Sequence, residues 1–158
     1  MDDGERALIS DGVDPIGIAE LRWLWAQEAD PDVGPWRADR DFLGSVARWM
    51  ADPSRTVWHA SVQERAVGMV CLTEYQRMPS PRTRASGSWG YLGHLYVCAD
   101  QRLSGIGTQL VAEVVRAAER RGYSKIVLSP SVESIRLYER HGFTQGNGLM
   151  VRRTAGAT

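Results

Sequence analysis

The spacing of hydrophobic residues divides the sequence into a helical first third, an alternating middle, and a second half in which the two periods take turns. Asp14-Pro15 reads as an N-cap with proline at the first helical position, and Ile18, Leu21, Leu24 and Trp25 follow at three- and four-residue intervals. A Pro, Gly and Asp segment, Ala29 to Trp36, interrupts the pattern. Phe42, Val46 and Trp49 resume it until Asp52-Pro53 stops it. Thr56 to Val62 then alternates as a strand does, Gln63 to Arg65 reads as a short turn, and Ala66 to Tyr75 alternates again. This pair predicts an antiparallel hairpin. The stretch from Met78 to Gly90 is a loop rich in Pro, Ser, Gly and Arg, too short for a domain linker and long enough to carry function.

Tyr91 to Val97 is a third strand. From Gly105 to Arg121 the period is helical, with Ile106, Leu110, Val114, Ala117 and Ala118 on one face. Gln109, Glu113, Arg116 and Arg120 lie on the other, and Gly122 is a natural C′ residue. Lys125 to Ser129 is a short apolar strand, expected at the centre of the sheet. Val132 to His141 predicts a second short helix ended by Gly142, and Leu149 to Val151 a last strand. Strand, helix, strand, helix, strand in the second half predicts an α/β (α+β) fold, a mixed sheet with helices on its faces. One domain is expected over residues 1–158, with frayed tails at 1–5 and 154–158.

Composition narrows the class. The 158 residues carry 19 basic and 19 acidic side chains, a formal net charge of zero. A broad nucleic-acid footprint usually needs a basic excess, so no nucleic-acid partner is expected. No apolar run approaches the ~20 residues that span a bilayer, and MDDGERALIS lacks the basic and apolar regions of a secretory signal. No membrane partner is expected, and the cytoplasm is the default compartment. Cys71 and Cys98 stand in strands without a CxxC or Cys/His cluster, so reduced buried thiols are expected, with no metal.

The most informative stretch runs from Val97 to Thr108: a strand ends, a polar loop carries an arginine, and two glycines open an amphipathic helix. Free N–H groups at a helix start, with the positive dipole end behind them, favour a phosphate. Three phosphate-binding patterns compete. A nucleotide P-loop needs Gly-Lys-Ser/Thr, and no lysine is near. A dinucleotide fingerprint needs a third glycine where Leu110 stands. There remains Arg-x-x-Gly-x-Gly, here Arg102, Gly105 and Gly107, which resembles the pyrophosphate loop of the GNAT superfamily of N-acetyltransferases. Downstream, Ser131, Ser134, Tyr138, Gly142 and Phe143 resemble that family's second signature. Ser131, Ser134 and Tyr138 are spaced to share one helical face, and Ser131 also suits an N-cap. Ala99 stands where the family often has proline, and Ser131 where it often has asparagine.

The resemblance implies a mostly antiparallel sheet of six to seven strands flanked by about four helices. It implies acetyl-CoA as acyl donor, bound by Leu95, Tyr96, Val97, Arg102, Leu103, Ser104, Gly105, Ile106, Gly107, Thr108, Ser131, Ser134 and Tyr138. It also implies direct transfer, in which a neutral amine attacks the thioester, Tyr138 protonates the departing sulfur, and a backbone N–H near Val97 holds the oxyanion. An alkylammonium of pKa ~10.4 must first lose a proton, which costs on the order of 4–5 kcal/mol at pH 7. His94, on the cofactor strand, and Glu74, on its neighbour, are candidate bases, and a water chain stands beside them. Alternation turns His94 away from the cofactor face unless a bulge re-aims it. Selectivity is expected from the loop after the first helix, the Met78–Gly90 loop and the last strands. Glu28, Asp30 and Asp32 are candidates to attract a cationic amine, and Trp23, Trp25 and Trp36 are core or pocket wall. The acceptor stays open between a small-molecule amine and a protein amine, as does homodimer formation. The competing class is a non-catalytic acyl-CoA sensor on the same fold. Phosphotransfer fails for want of the lysine and of an acidic metal ligand.

Overall fold

Val62 and Arg65 pair across Gln63-Glu64, whose φ angles of 48° and 63° give the two-residue left-handed turn that suits strand twist. That hairpin seeds a sheet in which five strands lie in chain order: β1 (Leu8–Asp11), β2 (Arg55–Val62), β3 (Arg65–Gln76), β4 (Ser88–Val97) and β5 (Ile126–Val127). All neighbours are antiparallel except β4 and β5. The computed structural model describes residues 7–12, 14–82, 87–146 and 148–153. The expected tails, 1–5 and 154–158, lie outside these, as do residues 83–86 of the Met78–Gly90 loop.

Helices cover both faces. α1 (Pro15–Ala29) starts where Asp14 accepts the Ile16 amide, and α2 (Arg40–Met50) where Asp39 accepts that of Phe42. Ile18 and Leu21 of α1, with Val46 and Trp49 of α2, pack on Met69 and Cys71 of β3. On the opposite face α3 (Ile106–Arg120) buries Ile106, Leu110, Val111, Val114, Ala117 and Ala118 against Val70, Leu72 and Leu92. The short α4 (Ile135–Glu139) joins that second cluster through Tyr138.

Several expectations are corrected. Among the described residues the sheet has five strands, where six to seven were expected. The opening segment contributes β1, paired from Leu8↔Ser61 to Asp11↔Trp58, although the pattern marked no strand there. β5 is a two-residue edge strand rather than a central one: its apolar composition reports buried faces and says nothing about its edges. Leu149, Met150 and Val151 are 76%, 99% and 81% exposed and lie in no strand, because no neighbouring backbone pairs with them. β4 begins at Ser88 rather than Tyr91, since Trp89 and Gly90 still pair with Tyr75 and Glu74. The helix read from Val132 is a 3-10 turn over Val132–Ser134, with α-helix only from Ile135.

Candidate functional site

Leu92 and Tyr96 are four residues apart on β4, so a regular strand would point both to one face. They pack in opposite clusters, Leu92 under α3 and Tyr96 under α1. A bulge explains the switch. Gly93 pairs with Cys71 and Tyr96 with Met69, leaving His94 and Leu95 opposite Val70 alone. His94 takes up the turn with φ of 55°, a region that histidine tolerates better than most residues. The bulge turns the imidazole to the α1–α2 face, edge-on to Trp25 at 6.4 Å and Trp49 at 5.1 Å. Solvent reaches the ring, yet it sits in crowded surroundings. Burial, then the charges of Arg22 and Arg55, lowers its pKa below 6.5.

β4 and β5 pair only at Gly90↔Ile126 and Tyr91↔Val127, and then separate. Among the described residues no strand pairs with the β5-side edge of β4 beyond Tyr91, at Leu95, Tyr96 and Val97. At its top, Ala99–Gln101 forms a 3-10 turn leading into α3. The loop is held on two sides. Arg65 donates two bonds to Asp100, at 3.1 and 3.2 Å. Arg102 donates through Nε to the Val97 carbonyl at 2.9 Å and through Nη2 to both Glu28 oxygens, at 2.9 and 2.7 Å. Tyr96 donates its hydroxyl to Glu28 at 2.6 Å. Burial raises the Glu28 pKa, but these bonds and the Arg102 charge outweigh it, and the carboxyl is held below its usual value. Glu28 is thus committed to the loop, and Asp30 caps the following turn by accepting the Asp32 amide. Neither is placed to draw in a cationic amine.

Leu103 and Gly105 both take left-handed φ, 62° and 87°. Gly105 stands at the N-cap of α3, and no side chain caps the helix there. The first ladder bond runs from Gln109 N–H to the Gly105 carbonyl, so the amides of Ile106, Gly107 and Thr108 lie ahead of it. A Cβ built on Gly105 would meet nothing within 4 Å, and one on Gly107 would meet only Leu137 at 3.6 Å and Val97 at 4.0 Å. Open space, bare amides and the helix dipole are the features that suit an anion held through backbone N–H groups. The Leu103 and Ser104 side chains are exposed, with the Ser104 hydroxyl donating to the Gln101 carbonyl at 2.5 Å.

Tyr138 is 7% exposed and packs edge-to-face on Phe143 at 5.7 Å. Its hydroxyl has no hydrogen-bond partner among the described residues, and burial, with the nearby Tyr91 phenol, pushes its pKa up to about 12. Ser131 occupies the cap position, but its hydroxyl accepts no backbone amide of the turn. It donates instead to the Ser134 hydroxyl at 3.1 Å, and Ser134 donates to the Ser131 carbonyl at 2.9 Å. The two serines lie in the 3-10 lead-in, so the single α-helical face expected for them and Tyr138 is not formed. Glu74 accepts from the Tyr123 hydroxyl and shares the α3 face with Leu72. The bulge has put His94 on the other side of the sheet.

Beside His94 a pocket of about 230 Å³ opens between α1, α2 and the sheet. Ile18, Phe42, Val46, Trp49, Val57 and Met69 form its apolar wall, and Arg22, Ser45 and His94 are its polar members with the Cys71 thiol. Burial pushes that thiol up to about 11, so it is neutral. Trp23 and Trp36 are spent on each other at 5.7 Å, with the Trp23 Nε1–H on the Gly34 carbonyl. Trp25 stacks on Tyr96 at 5.7 Å. Sequence reading took Trp49 only as a helix-face residue and did not single out Arg22. The usable signal for Arg22 was its position four residues after Ile18, an exposed charge beside the buried face of α1.

A profile described as the acetyltransferase (GNAT) family matches residues 13–143. A glucosamine 6-phosphate N-acetyltransferase from Candida albicans is 26% identical over 113 residues, 72% of this chain and 74% of that protein. A predicted acetyltransferase from Clostridium acetobutylicum, solved with acetyl-CoA, superposes with a TM-score of 0.71 at 17% identity, covering 94% of this chain and 96% of that one. A ribosomal-protein-alanine N-acetyltransferase from Brucella melitensis superposes with a TM-score of 0.70 at 27% identity, covering 94% and 99%. The matched span takes in the bulged strand, the uncapped start of α3 and Tyr138 alike, and the chain belongs to the acetyltransferase (GNAT) family.

Proposed function

We propose that this protein moves the acetyl group of acetyl-CoA directly to a primary amine seated in the pocket beside His94. One observation carries the reading: β4 has no strand partner on its β5 side after Tyr91↔Val127 among the described residues, and the same strand leads through the loop of residues 98–104 into the uncapped start of α3. An extended amide-bearing arm fits that edge at Leu95, Tyr96 and Val97, and its pyrophosphate fits the amides from Gly105 to Thr108. The Arg102 side chain is held by Glu28, so its part is to fix the loop, and the backbone supplies the phosphate contacts.

The residues divide the chemistry by face. His94 is neutral at pH 7, its pKa being below 6.5, and makes no hydrogen bond among the described residues; its ring is available to take the proton of an incoming ammonium. Glu74, on the other face and bonded to Tyr123, is left out of that role. The main-chain N–H near Val97 donates to the developing oxyanion. Tyr138, protonated at neutral pH, donates to the sulfur as it leaves. The test is release of free thiol from acetyl-CoA across a panel of amines. Steady release with at least one primary amine is expected. Tight coenzyme binding with no release from any amine would instead mark an acyl-CoA sensor.

A further inference from the structure

The pocket beside His94 also carries information about the acceptor, given the acetyl-transfer reading above. Among the described residues no carboxylate lines it, and its one fixed charge is cationic. Arg22 lies with its guanidinium over the Trp25 ring at 5.1 Å and has no carboxylate within 4.0 Å among the described residues. Arg55, the other cation close enough to depress His94, is already engaged. It donates to the Trp49 carbonyl at 2.8 Å, pairs with Asp52 at 3.4 Å and lies over the Trp49 ring. Ser45 spends its hydroxyl on the Asp41 carbonyl. Apart from His94, Arg22 is thus the wall's uncommitted polar side chain among the described residues.

We propose that the acceptor is a small amine on an apolar or aromatic body that also bears one anionic group, a carboxylate or phosphate, read by Arg22. The volume supports a small body: about 230 Å³ is below the ~300 Å³ at which ordinary small-molecule pockets begin. The Phe42, Trp49 and Met69 walls cover an apolar body, and the Arg22 guanidinium, over the Trp25 ring, has the fork geometry to give two parallel N–H donors to a planar or tetrahedral anion. A second ammonium would meet a guanidinium with no carboxylate to offset it, so polyamines are disfavoured.

Thiol release from acetyl-CoA is compared for four amines: phenylalanine, its phosphonate analogue (1-amino-2-phenylethylphosphonic acid), phenethylamine and spermidine. One or both anionic amines should exceed phenethylamine at least tenfold in kcat/KM, and which one does so identifies the anion. Arg22→Gln should shrink that preference at least tenfold, with Arg22→Lys keeping part of it. Preference for phenethylamine or spermidine, or a preference that Arg22→Gln leaves unchanged, overturns the proposal. If no amine releases thiol, calorimetric titration of phenylalanine into wild type and Arg22→Gln separates the two readings. Binding that depends on Arg22 upholds the pocket assignment while acetyl transfer falls. Absent or Arg22-independent binding overturns the pocket assignment as well. Arg22 is exposed, so circular dichroism of the Gln variant should match wild type.

Discussion

Replacing Tyr138 with phenylalanine removes one oxygen and leaves the ring where it is, 7% exposed and edge-on to Phe143. The lost hydroxyl makes no hydrogen bond among the described residues, so no partner is orphaned. Stability should change by less than about 0.5 kcal/mol, a melting shift within ~2 °C for a chain of this size. The catalytic cost follows from acidities. Tyr138 is pushed up to about 12, whereas a thiol leaves with a pKa near ~8.5, so complete proton transfer to the thiolate is uphill. The phenol's value is then that of a hydrogen bond to developing negative charge, about 1.5–3 kcal/mol, or roughly 10- to 150-fold in kcat. Acetyl-CoA affinity should change far less, because loop and strand backbone supply most of it. The assay is single-turnover acetyl transfer, so that product release cannot mask the step, together with calorimetry for the coenzyme. A phenylalanine variant within twofold of wild type in that assay would refute the assignment and leave Tyr138 a packing residue.

Gly107→Asp should weaken acetyl-CoA at least tenfold by calorimetry with the fold kept, since its Cβ has room and its carboxylate repels the pyrophosphate; Gly105→Asp adds strain at φ of 87°. If His94 is the base, the acid limb of kcat/KM should lie below pH 6.5 and vanish in His94→Asn, asparagine being chosen because it tolerates φ of 55°. Burial, opposed by Ser10 in the case of His59, lowers both His59 and His94, so the unfolded chain binds more protons just below pH 6.5. Melting temperature should therefore fall as pH drops from 7 through that window, and fall less in the His59→Asn, His94→Asn double variant. Leu110→Ala, fully buried under β3, should cost about 2–5 kcal/mol by urea denaturation without altering m.

Much of the architecture was legible because it depends on local periodicity and caps. Asp14-Pro15 starts α1, the 3.6 period from Ile106 to Ala118 sets the buried face of α3, and Gln63-Glu64 closes the β2–β3 hairpin; each acts over a few residues. The loop at Gly105 and Gly107 was legible too, because an uncapped helix start needs only the absence of side chains. Pairing partners were not. Leu149 to Val151 has strand composition and no strand beside it, β5 is apolar yet at an edge, and β1 is a strand only because β2 offers its backbone. Charge commitment was equally out of reach, since Glu28 and Arg102 are 74 residues apart and only the packing of α1 on β4 brings them within 2.7 Å. The bulge at His94 is the sharpest case. Counted from Val97, alternation puts His94 opposite Leu95 and Val97, on the α1 face where it lies; counted from Leu92 it would fall under α3, and the extra residue opposite Val70 is what makes the two counts disagree. A register shift is set by both strands and the helices packed on them, and no single strand's pattern records it.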